Sequence, residues 1–192
     1  AEVKNAIDTL ENTIGPIDIL VNNAGIIKRI PILEMEADEF REVINVDRVG
    51  PFIVSKHVGR HMIQRRSGKI IHICSMMSEL GRNTVTAYAA AKGGLKMLSK
   101  NMATEWAKYN IQVNGIGPGY FATDQTAPLR KDGHPFNEFI INLTPAGLWF
   151  DPVDMSGTAI FLASASSDFI NGQIIYVDGG ILATIGKPVN EK

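Results

Sequence analysis

The chain has 192 residues, 45% of them hydrophobic and 20% charged, with a formal net charge of -1, which suits one soluble domain with a sizeable core. The near-neutral balance gives no basis for a polyanionic partner, so nucleic acid is not expected; no apolar run reaches the length of a bilayer span, so no membrane is expected either. The single cysteine, Cys74, excludes an intrachain disulfide and reads as a small buried core residue, and with no charged-then-apolar leader in view the expected setting is cytoplasmic.

In chain order, Val3 to Thr13 has a helical pattern stopped by Gly15 and Pro16. Ile17 to Asn22 is a short apolar run rich in β-branched residues and reads as a strand. Residues 36–64 are helical in pattern, with Asn45 a mediocre helix former inside them and Pro51, six residues on, removing a donor and bending the rod. The basic run at its end, Gln64 to Lys69, suits a solvated helix terminus. Lys69 to Ser75 is a second strand, Thr84 to Tyr109 a long helix, and Ile111 to Ile116 a third strand. Residues 118–150 are irregular, with Phe136, Phe139, Ile140 and Ile141 marking a short amphipathic helix. Asp151 is an N-cap with Pro152 at the first helical position, opening a helix to about Ala163. Gln173 to Val177 is a fourth strand, closed by Asp178-Gly179-Gly180.

Nearly continuous apolar strands separated by helices predict a parallel sheet covered on both faces, a doubly wound α/β layer sandwich in a single domain over residues 1–192. Residues 120–150 are longer than most connections in compact domains and are expected to be a substrate-binding lid within it. In the long helix Ala87, Ala91, Leu95, Leu98, Met102 and Trp106 recur at steps of three or four and make one buried stripe. Tyr88 and Lys92 flank that stripe one helical turn apart.

Ligands of such sheets bind beyond the carboxyl ends of the strands. Three reversals fall on that rim: Asn22-Asn23-Ala24-Gly25, Ser75, and Gly117-Pro118-Gly119. The Tyr88 helix starts near it. A tyrosine titrates near pH 10, too high for a good base, but a lysine cation one turn away favours its phenolate. Tyr88 can then take a proton from an alcohol or give one to a ketone, with Ser75 holding the substrate oxygen. Each signal alone has a plain alternative: a surface pair for Tyr88 and Lys92, a strand-end cap for Ser75, an exposed polar group for Asn45.

Taken together, Asn22-Asn23-Ala24-Gly25, Asn45, Ser75, Tyr-Ala-Ala-Ala-Lys at 88 to 92 and Pro118-Gly119 resemble the short-chain dehydrogenase/reductase family, from the first residue to about Gly180. The resemblance implies a Rossmann-like fold, a nicotinamide cofactor (NADP or NAD), and a dimer or tetramer. It also implies a catalytic tetrad of Asn45, Ser75, Tyr88 and Lys92, with Asn45 anchoring a water that leads to Lys92 and Lys92 bonding the nicotinamide ribose. Asn23, Ala24 and Gly25 would lie along the cofactor, and Pro118, Gly119, Phe121 and Thr123 would hold its nicotinamide end. The stretches 73–82, 117–123 and 177–180 are similar to a narrower group, the gluconate 5-dehydrogenases, which interconvert D-gluconate and 5-keto-D-gluconate. Such a substrate needs a cation for its carboxylate. Lys28 and Arg29 follow the first reversal, and Arg29, able to bind in bidentate fashion, is the candidate; a solvated loop is the other reading. Glu79 and Arg82 are placed to pair with each other, His134 reads as a surface residue, and no metal site is expected.

Several positions depart from the family pattern. No Gly-rich phosphate turn opens the chain, whose first residues already read as a helix before the family's fourth strand, so a shortened form is expected, with an open sheet edge. Gly147-Leu148-Trp149-Phe150 stands where an arginine precedes the Trp and a glycine follows it, and Asp47-Arg48 are unusual choices after Asn45. Two other functions stay open: reduction of another carbonyl, such as a 3-oxoacyl thioester or a deoxygluconate, and a catalytically silent oligomerising module.

Overall fold

The structure, a computed structural model, describes residues 1–131 and 133–186. Four strands, β1 (Ile19–Asn22), β2 (Gly68–Ile73), β3 (Ile111–Pro118) and β4 (Ile174–Val177), form one sheet in the order β1-β2-β3-β4. Every neighbouring pair is parallel, with Ile70 opposite Val113 and Ile116 opposite Ile175. Helix α1 (Glu2–Thr13) precedes β1, and the chain leaves it through Gly15 at φ +134°, where the missing Cβ removes the steric cost.

The long helical pattern before β2 is three pieces: α2 (Ala37–Ile44), a π turn at Asn45–Val49, and α3 (Gly50–Arg65). The Gly50 N–H reaches back to the Asn45 carbonyl and closes the wide turn. Pro51 lies in the first turn of α3, where its missing N–H is harmless. The irregularity expected at Pro51 is thus real, but it sits just before the proline as a widened turn. Helix α4 (Thr86–Trp106) joins β2 to β3; α5 (Pro135–Leu143) lies in the long connection, and α6 (Ser156–Ala163) leads toward β4. Asp151 caps as expected, its Oδ1 accepting the Val153 N–H at 2.9 Å, but the first turn it caps, Pro152–Met155, is 3-10. Among the described residues no helix is long and apolar enough to cross a membrane.

Alternate residues of a strand face opposite sides of the sheet. Ile70, Ile111 and Val113 meet Ile7 of α1, Val58 and Met62 of α3, and Met102 and Ala103 of α4. Ile71 and Ile116 meet Leu162 of α6 on the other side. Helices therefore cover both faces, which is the doubly wound arrangement. The buried stripe of α4 is present, with Ala87, Ala91, Leu95 and Met102 buried and Leu98 and Trp106 partly so. The first two crossovers move along the sheet in one direction on one face. The β3-to-β4 connection continues in that direction on the opposite face, so its hand is opposite to theirs. At the β1 edge, Ile19 and Val21 point to the α6 side, beyond the reach of that helix, and are exposed.

Two amides carry the chain into β4. Asn171 accepts the Val113 N–H at 2.7 Å and donates to the Ile111 carbonyl at 3.1 Å. Asn114 donates to the Ile170 carbonyl at 2.7 Å and accepts the Gln173 N–H at 2.9 Å.

Above the apolar layer, on the α3 and α4 side, runs a buried polar chain. Ser99 donates to the Leu95 carbonyl at 2.8 Å, which uses its proton, so His72 Nδ1 donates to Ser99 Oγ at 2.7 Å. His72 Nε2 is then the acceptor for the Ser55 hydroxyl at 3.2 Å, and Ser55 in turn accepts from the Asn22 amide at 2.9 Å. His72 is fully buried. Burial, and after it the charge of Lys92, pulls its pKa down from 6.5 to about 4. As pH falls from 6.5, the unfolded chain takes up a proton that the native one refuses until about 4, so the folded state loses stability across that window. The expected loss from this residue is about 3 kcal/mol. Denaturant midpoints of the protein and its His72→Asn variant, compared at about pH 7 and about pH 4.5, check it: the variant is expected to lose less on acidification.

Candidate active site

The ends of β1, β2 and β3 and the first turns of α4 surround a cleft of about 450 Å³. The predicted residues Asn23, Gly25, Ser75, Tyr88, Lys92, Pro118, Gly119, Phe121 and Thr123 line it. Ala24 lies exposed between two of them on the turn after β1. Two glycines let the main chain of the cleft pack closely against the buried groups behind it. A Cβ at Gly25 would come 2.9 Å from Asp47 Oδ2, and one at Gly119 would come 2.7 Å from the Asp178 backbone.

Ser75 follows β2 in extended backbone and caps the short 3-10 turn Met76–Ser78, its Oγ accepting the Met77 N–H at 3.1 Å. Ser78 donates to the Lys92 carbonyl at 3.0 Å, which registers this turn against α4. Ser75 and Tyr88 share a second, smaller hollow with Arg29 and Arg82. Burial pushes the Tyr88 phenol up to about 12; its interaction with the Ser75 side chain opposes this, and the Asp47 carboxylate adds to it. The expectation that Lys92 draws the phenol down is therefore corrected. Lys92 Nζ lies 5.4 Å from the Tyr88 ring centroid, but its charge is engaged elsewhere. It donates to the Ile73 carbonyl at 2.8 Å and pairs with Asp47 Oδ2 at 3.3 Å.

Asn45 is exposed, and the residue that the structure brings to Lys92 is Asp47, two positions on. Asp47 is fully buried, four residues after the equally buried Val43. Its Oδ1 accepts the Ile26 N–H at 2.7 Å. Its Oδ2 is near Lys92 but poorly aligned, and has no hydrogen-bond donor among the described residues. The sequence signal for Asp47 was available: a carboxylate in phase with the apolar face of α2.

The flanking charges sort differently from expectation. Lys28 turns to α2, pairing with Glu42 at 2.7 Å and Glu39 at 3.9 Å, and leaves Arg29 as the cation of that loop at the hollow. Glu79 does not pair with Arg82; it binds Lys96 and Tyr176. Arg82 stacks on Phe136, 4.0 Å from the ring centroid, and so faces the same hollow as Arg29. His134 is a helix cap, its Nδ1 accepting the Phe136 N–H at 3.1 Å. Tyr120 packs edge-on against Phe136 and Trp149, at 5.7 and 5.5 Å, and the Trp149 indole N–H donates to Asn137 at 2.7 Å. Leu148 is exposed, and Phe150 packs on Phe121 at 5.8 Å between ring centroids. Cys74 is buried and its thiol is pushed up to about 11 by burial, so it stays a neutral core residue.

Residues 1–182 match a family model described as enoyl-(acyl carrier protein) reductase. The 2-dehydro-3-deoxy-D-gluconate 5-dehydrogenase of Formosa agariphila is 71% identical over 191 residues, covering all of this chain and 72% of that protein. The 5-keto-D-gluconate 5-reductase of Escherichia coli is 50% identical over 184 residues, covering 96% of this chain and 72% of that one. Among solved structures, a gluconate 5-dehydrogenase from Burkholderia cenocepacia, in complex with NADP and tartrate, superposes with a TM-score of 0.93 at 49% identity, over 95% of this chain and 71% of that chain. On this match of sequence, fold and cleft, the chain belongs to the short-chain dehydrogenase/reductase family.

Proposed function

We propose that the protein moves a hydride between a nicotinamide cofactor and carbon 5 of a six-carbon sugar acid, either D-gluconate with its 5-keto form or 2-dehydro-3-deoxy-D-gluconate. The observation that carries this reading is the convergence of Ser75, Tyr88 and Lys92 at one cleft on the carboxyl rim of the sheet. The relatives named above share chemistry at that carbon, and the Burkholderia enzyme was captured with a hydroxylated acid.

NADP or NAD, when bound, accepts or supplies the hydride. Asn23, Ala24 and Gly25 on one wall, and Pro118, Gly119, Phe121 and Thr123 on the other, would hold it, with Lys92 toward its ribose. In the reducing direction the neutral Tyr88 phenol donates its proton to the forming alkoxide, while Ser75 holds that oxygen. In the oxidising direction the phenolate takes the alcohol proton. Arg29 and Arg82 face the hollow beside the phenol, where two guanidinium groups suit a carboxylate. Residues 120–150 act as the substrate lobe, since Tyr120 and the Arg82–Phe136 stack place that segment against the same hollow. A homo-oligomer is favoured by the exposed Phe52 and Ile53 of α3 and Met97 of α4.

Tyr88→Phe is expected to lower turnover by about 10³-fold or more while leaving the circular dichroism spectrum intact; steady-state rates near the parent's would sink the acid/base assignment. Arg29→Ala is expected to raise KM for the sugar acid by about tenfold, with a smaller effect on kcat, and an unchanged KM removes it from the substrate site. Rates on 5-keto-D-gluconate, 2-dehydro-3-deoxy-D-gluconate and an acetoacetyl thioester decide between the carbonyl classes: the first two are expected to be turned over and the thioester not.

A further inference from the structure

One buried carboxylate ties three parts of the site together. Asp47, on the π turn, holds the Ile26 N–H at 2.7 Å and so fixes the turn after β1 that floors the cleft. Its other oxygen lies 3.3 Å from Lys92 on α4, with both side chains almost wholly removed from solvent. Lys92 is also drawn toward β2 by the Ile73 carbonyl at 2.8 Å. The first attachment ties the ammonium to the π turn and the second to the end of β2. A full opposite charge this close to a cation offsets its field at groups lying at similar distances from both, while the Lys92 charge still reaches His72. The groups that act on the Tyr88 phenol are Ser75 and Cys74 after β2, Arg29 after β1, Asp47 on the π turn and Lys92 on its own helix; the neutral His72 on β2 faces the same Lys92 charge.

We propose that Asp47 is a positioning residue, whose carboxylate holds the Lys92 ammonium against the end of β2 and withholds its charge from the Tyr88 hydroxyl. This rests on Tyr88 being the group that carries the proton. Asp47 thus sets the pH at which the phenol changes roles: with its charge in place Tyr88 stays a proton donor up to high pH, and with the charge removed at constant shape Lys92 is free to favour the phenolate. Asp47→Asn keeps an oxygen for the Ile26 N–H and removes only the charge.

In that variant the acid limb of kcat/KM for alcohol oxidation is expected to move down by about one pH unit, making oxidation about tenfold faster one unit below the parent's limb. A second measurement does not depend on turnover. The chain has 4 tyrosines, and ultraviolet titration of tyrosinate is expected to show one of them ionising at lower pH in Asp47→Asn than in the parent. That early step should vanish in the Asp47→Asn, Tyr88→Phe double variant. If no sugar acid is oxidised but the titration shifts, the substrate assignment fails while this proposal stands. A folded variant whose limb and titration are unmoved, or move upward, overturns the proposal. Asp47→Ser is read in the same way if the asparagine variant does not fold, and failure of both to fold assigns Asp47 to the fold alone and also overturns it.

Discussion

An ammonium taken out of water must find its partners inside the protein, and the placement of Lys92 organises the candidate site around that need. Its side chain is nearly solvent-free and is met by the last carbonyl of β2 and by the Asp47 carboxylate. Its own carbonyl accepts the Ser78 hydroxyl, so the same residue registers the Ser75 turn against α4. Removing one partner of such a pair strands a buried charge, at about 3–5 kcal/mol. The helix, the strand end and the π turn are therefore held in one arrangement, and the hydroxyls of Ser75 and Tyr88 inherit their separation from it. Asp47 extends that control to the first wall of the cleft through Ile26.

The opposite wall is built from aromatic rings. Tyr120 sits between Phe136 and Trp149, Trp149 is fastened to α5 through Asn137, and Phe150 returns to Phe121 beside β3. Arg82, from the turn region that begins at Ser75, lays its guanidinium on Phe136 and so connects this lobe to the reacting hydroxyls. A cation over a ring keeps its planar edge free for a carboxylate. The two arginines of the hollow come from different loops, and they meet only because the sheet aligns the ends of β1 and β2.

Much of this was legible in the amino-acid sequence. The strands are apolar runs that only a two-sided sheet would need, and the α4 stripe identified both its buried face and the two residues beside it. Ser75, Tyr88 and Lys92 were legible because their spacing survives translation into a rim. Asn45 was carried over by resemblance, although two residues after the buried Val43 a helix turns a side chain to the opposite, exposed side. Asp47 was passed over as an odd choice, although a carboxylate in phase with Val43 already signalled a buried partner. The protonation of Tyr88 was misjudged because one-turn spacing to Lys92 says that two groups are close, but not how deeply the phenol is buried, and burial is the largest influence on it. Arg82 was assigned to Glu79 by proximity along the chain, whereas Lys96 and Tyr176 outcompete it in space.

The amides beside β4 have a bearing on how the last strand finds its place. All four of its residues are half-buried, so alternation of apolar and polar positions does not discriminate between one alignment and the next. Asn171 and Asn114 do discriminate: together they make four hydrogen bonds to main-chain groups of the β3 strand and of the segment leading into β4. A slip by one residue would strand the buried Asn114 without partners and part the half-buried Asn171 from its own. The alignment of the terminal strand, and with it the position of Asp178 behind Gly119, is therefore specified by polar side chains standing in for backbone where greasy contacts would tolerate an error.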